Sequence, residues 1–357
     1  MEKKLLLVHE HDDAAVALSA LFRGETCEVA GKSITLLDDI PFGHKVALRN
    51  IPQGDSVIKY GNPLGHATQD IKIGQHIHTH NLSTNLSGHI HYTYQPDKAT
   101  LARFSSPLEH AVFQGYLRPD GRAGTRNELW IIPTVGCVNM TAQRLAEEAK
   151  RRFGSHFDDV RAYTHNMGCS QLGDDQATTM KLLSGLIKNP NAGGVLVLSL
   201  GCENNNLDVF RPFLGDIDES RIKFLVTQSV EDEYTAGMAL LEELDKVAGG
   251  MARQPIGADK LVIGMKCGGS DAFSGLTANP LCGRLCDRIV RAGGSCILTE
   301  VPEMFGAEHL LMARCINRNV FNDTVQLIDD YKDYFTRHGQ VIYENPSPGN
   351  KAGGIST

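Results

Sequence analysis

The residues best equipped for chemistry fall in three groups. In GQHIHTHN, His76, His78 and His80 alternate with other residues. On a strand, positions i, i+2 and i+4 share one face, so the imidazoles would stand about 7 Å apart along it. Neutral imidazole is the commonest protein ligand for a divalent metal, which makes this run a candidate metal site. An exposed polar strand face that binds nothing is the alternative. His89 and His91 repeat the spacing, and His66 precedes the run.

The second group is Cys137, Cys169 and Cys202, each preceded by glycine at the end of an apolar run, at intervals of 32 and 33 residues; Cys267 follows LVIGMK. About thirty residues is the length of one strand plus its crossover helix. If the strands are parallel, the thiols share the carboxyl edge, where open α/β sheets bind ligands. Thiolates suit iron, and an iron–sulfur cluster with one open iron needs only three cysteines. No CxxC accompanies them, and a buried, inert role is the alternative. Cys282 and Cys286, i and i+4 on an expected helix, are more often core than ligands, and with Cys27, Cys296 and Cys315 they are set apart from the site.

The third group is charged and polar. Residues 115–128, GYLRPDGRAGTRNE, carry Arg118, Arg122 and Arg126, whose planar forks match carboxylates. Glu203 and Asn204 follow Cys202 as an acid and an amide for substrate or, alternatively, as a helix N-cap cluster. In KCGGSDAFSG, backbone amides with Ser270 and Asp271 can hold an anion, while Lys266 can act as a base or face an enolate. His165, four residues before Cys169, is the other candidate base. Neither a P-loop nor a GxGxxG motif is present, which disfavours nucleotide binding.

Two kinds of element must position these groups. Residues 1–95 hold short β-type runs between Gly, Pro, Asp and Asn, with one helix expected near 13–23, as in a small β-rich module. Residues 96–112 lose periodicity and read as a linker. From 113 to 357 apolar strands alternate with amphipathic helices, predicting an α/β domain with a mainly parallel sheet. Strands are expected near 129–135, 160–165, 195–200, 222–228, 260–265 and 295–300.

Composition narrows the function classes. A net charge of -7 over 357 residues argues against nucleic-acid and anionic-membrane partners. The apolar run before His9 is too short for a signal peptide, and no stretch is long enough to span a membrane, so a cytoplasmic location is expected. Nine cysteines, an odd number, do not resemble a secreted disulfide framework.

The strings IPFGHKVAL, KYGNPLGHATQDIKIGQHIHTHNL, GYLRPDGRAGTRNELWIIPTVGCVN, HNMGCSQLGDD, LSLGCENNN, KCGGSD and ENPSPGNKAGG together resemble the altronate/galactarate dehydratase family of sugar-acid lyases. The resemblance implies a SAF-like N-terminal module and a catalytic α/β region. It implies β-elimination of water from a sugar acid, altronate giving 2-keto-3-deoxygluconate in hexuronate catabolism, with Fe2+ or Mn2+ required. Galactarate dehydratases and sulfolactate sulfo-lyases share the architecture, and an inactive sugar-acid-binding fragment is the non-enzymatic alternative. Family members continue beyond ENPSPGNKAGG, so the chain is expected to be incomplete at its C-terminus. A homo-oligomer is expected. The expected mechanism sets the metal on His76, His78 and His80, the base at Lys266 or His165, and Arg122 and Arg126 on the carboxylate or distal hydroxyls. An iron–sulfur cluster on Cys137, Cys169 and Cys202 is its alternative.

Overall fold

The computed structural model describes residues 3–86, 88–105, 111–342 and 347–356. The chain forms two compact units, one of residues 1–108 with 262–357 and one of residues 109–261.

The first unit begins with short antiparallel strands. Leu5–Leu6, Ala14–Ala17, Lys45–Ala47 and His76–Ile77 make one four-stranded sheet in that order. Smaller sheets pair Thr26–Val29 with Lys32–Thr35, and Ser56–Lys59 with Asn62–Ala67 and Leu82–Ser83. Such alternation buries one face, and Leu5, Ile34, Val46, Val57 and Ile77 form the cores beneath. The helix expected near 13–23 is instead the strand Ala14–Ala17, buried along its whole length. Alanine's helix propensity yields because both neighbouring strands require a partner there, and its small side chain fits between packed layers.

The rest of this unit is helical around a two-stranded parallel pair, Val262–Met265 with Ser295–Leu298. The helices Ala278–Arg291 and Arg318–Arg337 are its longest, and within the expected linker Lys98–Ser105 is also a helix.

The second unit is the expected α/β architecture. Its sheet runs Asp159–Ala162, Glu128–Pro133, Ala192–Ser199, Ile222–Val226, all parallel. Every residue of Glu128–Pro133 and Ala192–Ser199 is buried, as a sheet covered on both faces demands. Helices Asn139–Phe153 and Glu233–Ala248 cover one face through Leu145, Ala149, Leu241 and Leu244, while Gly173–Ile187 and Leu207–Leu214 contribute to the other core. The last two expected strands do not join this sheet, so Cys267 does not share its edge. The antiparallel pairing of Gln254–Gly257 with Val112–Leu117 interrupts the alternation before Val262.

Among the described residues no helix is long and apolar enough to cross a membrane. Lys59 ends the Ser56–Lys59 strand almost fully buried, its Nζ 4.6 Å from the Tyr60 ring centre. Burial pushes its amine down to about 8, against the opposing pull of Asp12. The depressed value makes the folded state carry a full penalty below pH 8. The penalty fades as pH rises toward the unfolded lysine value of about 10.4, because only the unfolded chain then holds the proton. Lys59→Met should therefore stabilise this unit at pH 7, by up to about 3 kcal/mol, and flatten the rise in stability between pH 8 and 10. Thermal unfolding of both proteins at pH 7 and 9.5 measures it.

Candidate metal and substrate site

The Lys45–Ala47 strand pairs antiparallel with His76–Ile77, setting Lys45 opposite Ile77 and Val46 opposite His76. Ile77 is fully buried. Alternation therefore turns His76 and His78 to the opposite side, and the same pairing brings His44 to them from the neighbouring strand's start. The strand ends at Ile77, so of the three histidines His76 alone lies on it and His78 follows just past its end. Asn81 closes a turn, accepting from the His78 N–H at 3.0 Å and donating to the His76 carbonyl at 2.9 Å. That turn carries the His80 ring back to 5.4 Å from the His76 ring. The His44 ring lies 5.0 Å from both His76 and His78. Sequence spacing missed His44, whose only signal is its place beside a strand that pairs thirty residues later.

Hydrogen bonds set the tautomers of this group. A carbonyl only accepts, so His44 Nε2 donates to Ala352 O at 3.0 Å and His78 Nε2 donates to Lys351 O at 2.7 Å. In neutral His44 the other nitrogen, Nδ1, is then a lone pair, and it accepts from His76 Nε2 at 2.9 Å. Burial, with the neighbouring imidazoles, pushes His76 down to about 4; burial lowers His44 and His78 as well. Asp38 adds a carboxylate that accepts the His76 backbone N–H. Only His44 and His78 rest an N–H on a carbonyl; His76 donates to His44 and keeps its own lone pair at Nδ1, while His78 Nδ1 meets the Thr79 hydroxyl at 3.1 Å. Neutral imidazole is the state that binds Fe2+ or Mn2+, so the chemistry of the donor set suits such an ion.

The carbonyls come from the segment 347–356. Lys45 Nζ, fully buried, donates to Gly354 O at 2.6 Å, and burial pushes that amine down to about 7. Gly354 has a φ of +102°, and a Cβ there would lie 2.6 Å from Gly43 O. Only glycine permits this backbone to press on the start of the histidine-bearing sheet.

A cavity of about 990 Å³ in the same unit is lined by Lys266, Ser270, Glu300, Arg284 and Arg314. Lys266 Nζ donates to Glu300 Oε1 at 3.0 Å, and the Cys267 N–H donates to Glu300 Oε2 at 2.7 Å. The hydrogen bond to Glu300 raises the lysine's pKa and so favours the cation at Lys266. Ser270 Oγ lies 3.0 Å from Cys267 Sγ. Asp271 shapes its own turn by accepting from the Phe273 and Ser274 N–H groups. Phe273 stacks 4.8 Å from Phe42, tying this loop to the strand entry before His44. Cys282 is exposed on the cavity and Cys286 partly so, a correction to their expected core place, and the partly exposed Cys296 lines the same cavity. Among the described residues, Cys267, Glu300 and Glu303 are the one trio of ligand atoms all within 4.8 Å of one another. The imidazole nitrogens are thus in the right chemical state without being gathered that closely.

In the second unit the expected residues separate. The arginine loop precedes Glu128–Pro133 and so lies at the amino edge of the parallel sheet, a strand's length of roughly 20 Å from the cysteine edge. Arg118 is buried, donating to Pro190 O at 2.7 Å and Asn127 Oδ1 at 3.0 Å. Arg122 binds Asp120 through Nε and Nη2, and Arg126 pairs with Glu128. These guanidinium groups brace the turn. At the other edge His165 donates from Nε2 to Pro133 O at 2.9 Å and accepts at Nδ1 from the Met167 N–H at 3.2 Å. Both its nitrogens are hydrogen-bonded, so the ring anchors this loop. Glu203 is buried and accepts from the Thr134 and Ser199 hydroxyls and the Leu200 and Gly201 N–H groups. Asn204 is exposed and joins two loops through Cys169 O and Gln171 O.

Comparison with known proteins places this arrangement. Residues 3–85 match the altronate/galactarate dehydratase SAF domain, residues 115–249 the D-galactarate dehydratase/altronate hydrolase second domain, and residues 258–357 the D-galactarate/altronate dehydratase C-terminal family. The chain is 52% identical to the altronate dehydratase of Bacillus subtilis over 360 residues, covering 99% of this chain and 71% of that protein. It is 48% identical to the altronate dehydratase of Escherichia coli, covering 98% and 70%. To the L-threo-forming galactarate dehydratase of Escherichia coli it is 32% identical, covering 90% and 64%. The chain belongs to the altronate/galactarate dehydratase family and is a homologue, at about 50% identity, of its altronate-dehydrating hydro-lyases.

Proposed function

We propose that the protein dehydrates altronate to 2-keto-3-deoxygluconate and that it does so with a divalent cation, Fe2+ or Mn2+. The observation that carries the substrate is the gap in identity: 52% and 48% to altronate dehydratases against 32% to a galactarate dehydratase. The cation is assigned to His76 and His78, with His44 and His80 beside them. When bound, it supplies a Lewis acid that draws charge from a carboxylate and its α-hydroxyl. The protein's own part is to keep His44, His76 and His78 neutral by burial and to fix the His78 and His44 rings through the Lys351 and Ala352 carbonyls. Lys266, held protonated by Glu300, supplies positive charge toward a carboxylate or a developing enolate oxygen in the cavity. Arg284 and Arg314 add to that field and suit the same anion.

Incubating the purified 357-residue chain with altronate and ferrous ion under anaerobic conditions should yield a 2-keto-3-deoxy acid. Galactarate should be turned over at least about tenfold more slowly, a difference of roughly 1.4 kcal/mol. Keto acid formed from galactarate but not from altronate would overturn the substrate; full turnover in excess chelator would overturn the cation.

A further inference from the structure

Three free thiols, Cys137, Cys169 and Cys202, are exposed at the carboxyl edge of the parallel sheet. Free cysteine is ordinarily among the most buried residue types, as Cys27 and Cys315 are in this chain. The parent strands Asp159–Ala162, Glu128–Pro133 and Ala192–Ser199 are immediate neighbours, so the three loops leave the sheet side by side.

Each pair of loops is tied directly. The Gly136 N–H donates to Met167 O at 2.7 Å, and Asn139 Nδ2 to His165 O at 2.8 Å. The Asn204 N–H donates to Cys169 O at 2.9 Å, while Thr134 Oγ1 donates to Glu203 Oε1 at 2.6 Å. Glu203, saturated by four donors, locks the turn that carries Cys202. Gly201 in that turn has a φ of +122°, a conformation side chains rarely adopt. The thiols therefore stand on one braced platform and not on three independent loops.

Two further features point to a soft inorganic occupant. Gln228 Nε2 lies 3.6 Å from Cys202 Sγ, and Ser170 Oγ 3.7 Å from Cys169 Sγ, donors of the kind that tune cluster sulfurs. Met140, Met167 and Leu172, next to the thiols in sequence, are exposed at 67%, 44% and 74%. Exposed apolar side chains this close in sequence to each thiol are of the kind that an occupant of this edge would cover. A single shared ion does not suit the geometry, because these three sulfurs are not among the ligand atoms gathered within 4.8 Å. A cluster bridges thiolates set wider apart.

We infer that this edge binds an iron–sulfur cluster through the thiolates of Cys137, Cys169 and Cys202, leaving one iron of a cubane without a protein ligand and open to an oxygen donor. The site is additional to the imidazole-bound cation and does not rest on the identity of the sugar acid. Protein purified anaerobically should contain iron and acid-labile sulfide in near-equal amounts, with the broad visible absorption of a cluster and an electron paramagnetic resonance signal on reduction. Cys137→Ser, Cys169→Ser and Cys202→Ser should each lower labile sulfide by at least about tenfold, while Cys282→Ser, in the other unit, leaves it unchanged. The three thiols are exposed, so these variants should keep the parent's circular dichroism; alanine at the same positions repeats the test. Iron without labile sulfide, or labile sulfide that survives the triple variant, overturns the inference. Dehydration measured separately keeps the two readings apart. Turnover in sulfide-free protein removes the cluster and leaves the activity, whereas a cysteine-dependent cluster without turnover does the reverse.

Discussion

His76→Ala is expected to abolish divalent-cation binding and lower sugar-acid dehydration by at least about a hundredfold, roughly 2.7 kcal/mol of transition-state stabilisation. His76 is the hub of the imidazole group: its ring lies 5.0 Å from His44, 5.5 Å from His78 and 5.4 Å from His80. Its Nε2 donates to His44 Nδ1, so its removal also frees the His44 ring to turn. His80→Ala should have a smaller effect, because His80 is exposed on a turn and has no strand to fix it. His66 and His89 are the controls. His66 bonds Asn85, and His89 bonds Asp329 and Asp333, so neither belongs to the group and alanine at either should leave turnover unchanged. Calorimetric titration with Mn2+ and a keto-acid assay with Fe2+ give the two readouts. Unaltered cation affinity and unaltered turnover in His76→Ala, at a melting temperature matching the parent's, would sink the imidazole assignment.

What was legible in the sequence is what depends on neighbours along the chain. Strands near 129–135, 160–165, 195–200 and 222–228 appear within a few residues of their expected places because each is a continuous apolar run bounded by glycine or a polar turn. The paired facing of His76 and His78 follows from the same local period. His44 was not legible, since it reaches the group only through the pairing of Val46 with His76. Nor were the carbonyls of Lys351 and Ala352, which approach from some three hundred residues away. The partners of the arginine loop were hidden for a related reason. Three arginines among glycines suggest an anion clamp, and the fold sets Asp120, Glu128, Asn127 and Pro190 O as acceptors for some of their donors. Charge type can be read from sequence, whereas whether a charge is already satisfied depends on partners that the fold delivers. The helix at 13–23 failed by the same logic, because tertiary pairing outweighs a propensity of a few tenths of a kcal/mol per residue.

Lys332→Met is expected to destabilise the first unit by about 3–5 kcal/mol, more than any surface substitution would. Lys332 and Glu308 are side chains 1% and 2% exposed, paired at 3.3 Å between Nζ and Oε1. Tyr92 completes the triad, its hydroxyl donating to Glu308 Oε1 at 2.5 Å and accepting from Lys332 Nζ at 3.2 Å. Burial, reinforced by the hydrogen bond to Glu308, raises the tyrosine's pKa and keeps it a donor. The surroundings are apolar: Met312, Phe321 and Ile328 form the adjoining core, and the lysine's Nζ lies 5.5 Å from the Phe305 ring centre. Taking away the cation strands a carboxylate that one hydroxyl cannot compensate, and Glu308 Oε2 already lacks a hydrogen-bond partner. The loss therefore measures an uncompensated charge and not the worth of the pair. Removing both charges separates the two quantities: Lys332→Met with Glu308→Leu should recover most of the stability, giving a coupling of at least about 2 kcal/mol in the double-mutant cycle. Denaturant midpoints for the four proteins supply the cycle. Additive losses would mean that the two side chains act as independent fillers of the Arg318–Arg337 helix interface, and the buried pair would then have no energetic meaning of its own.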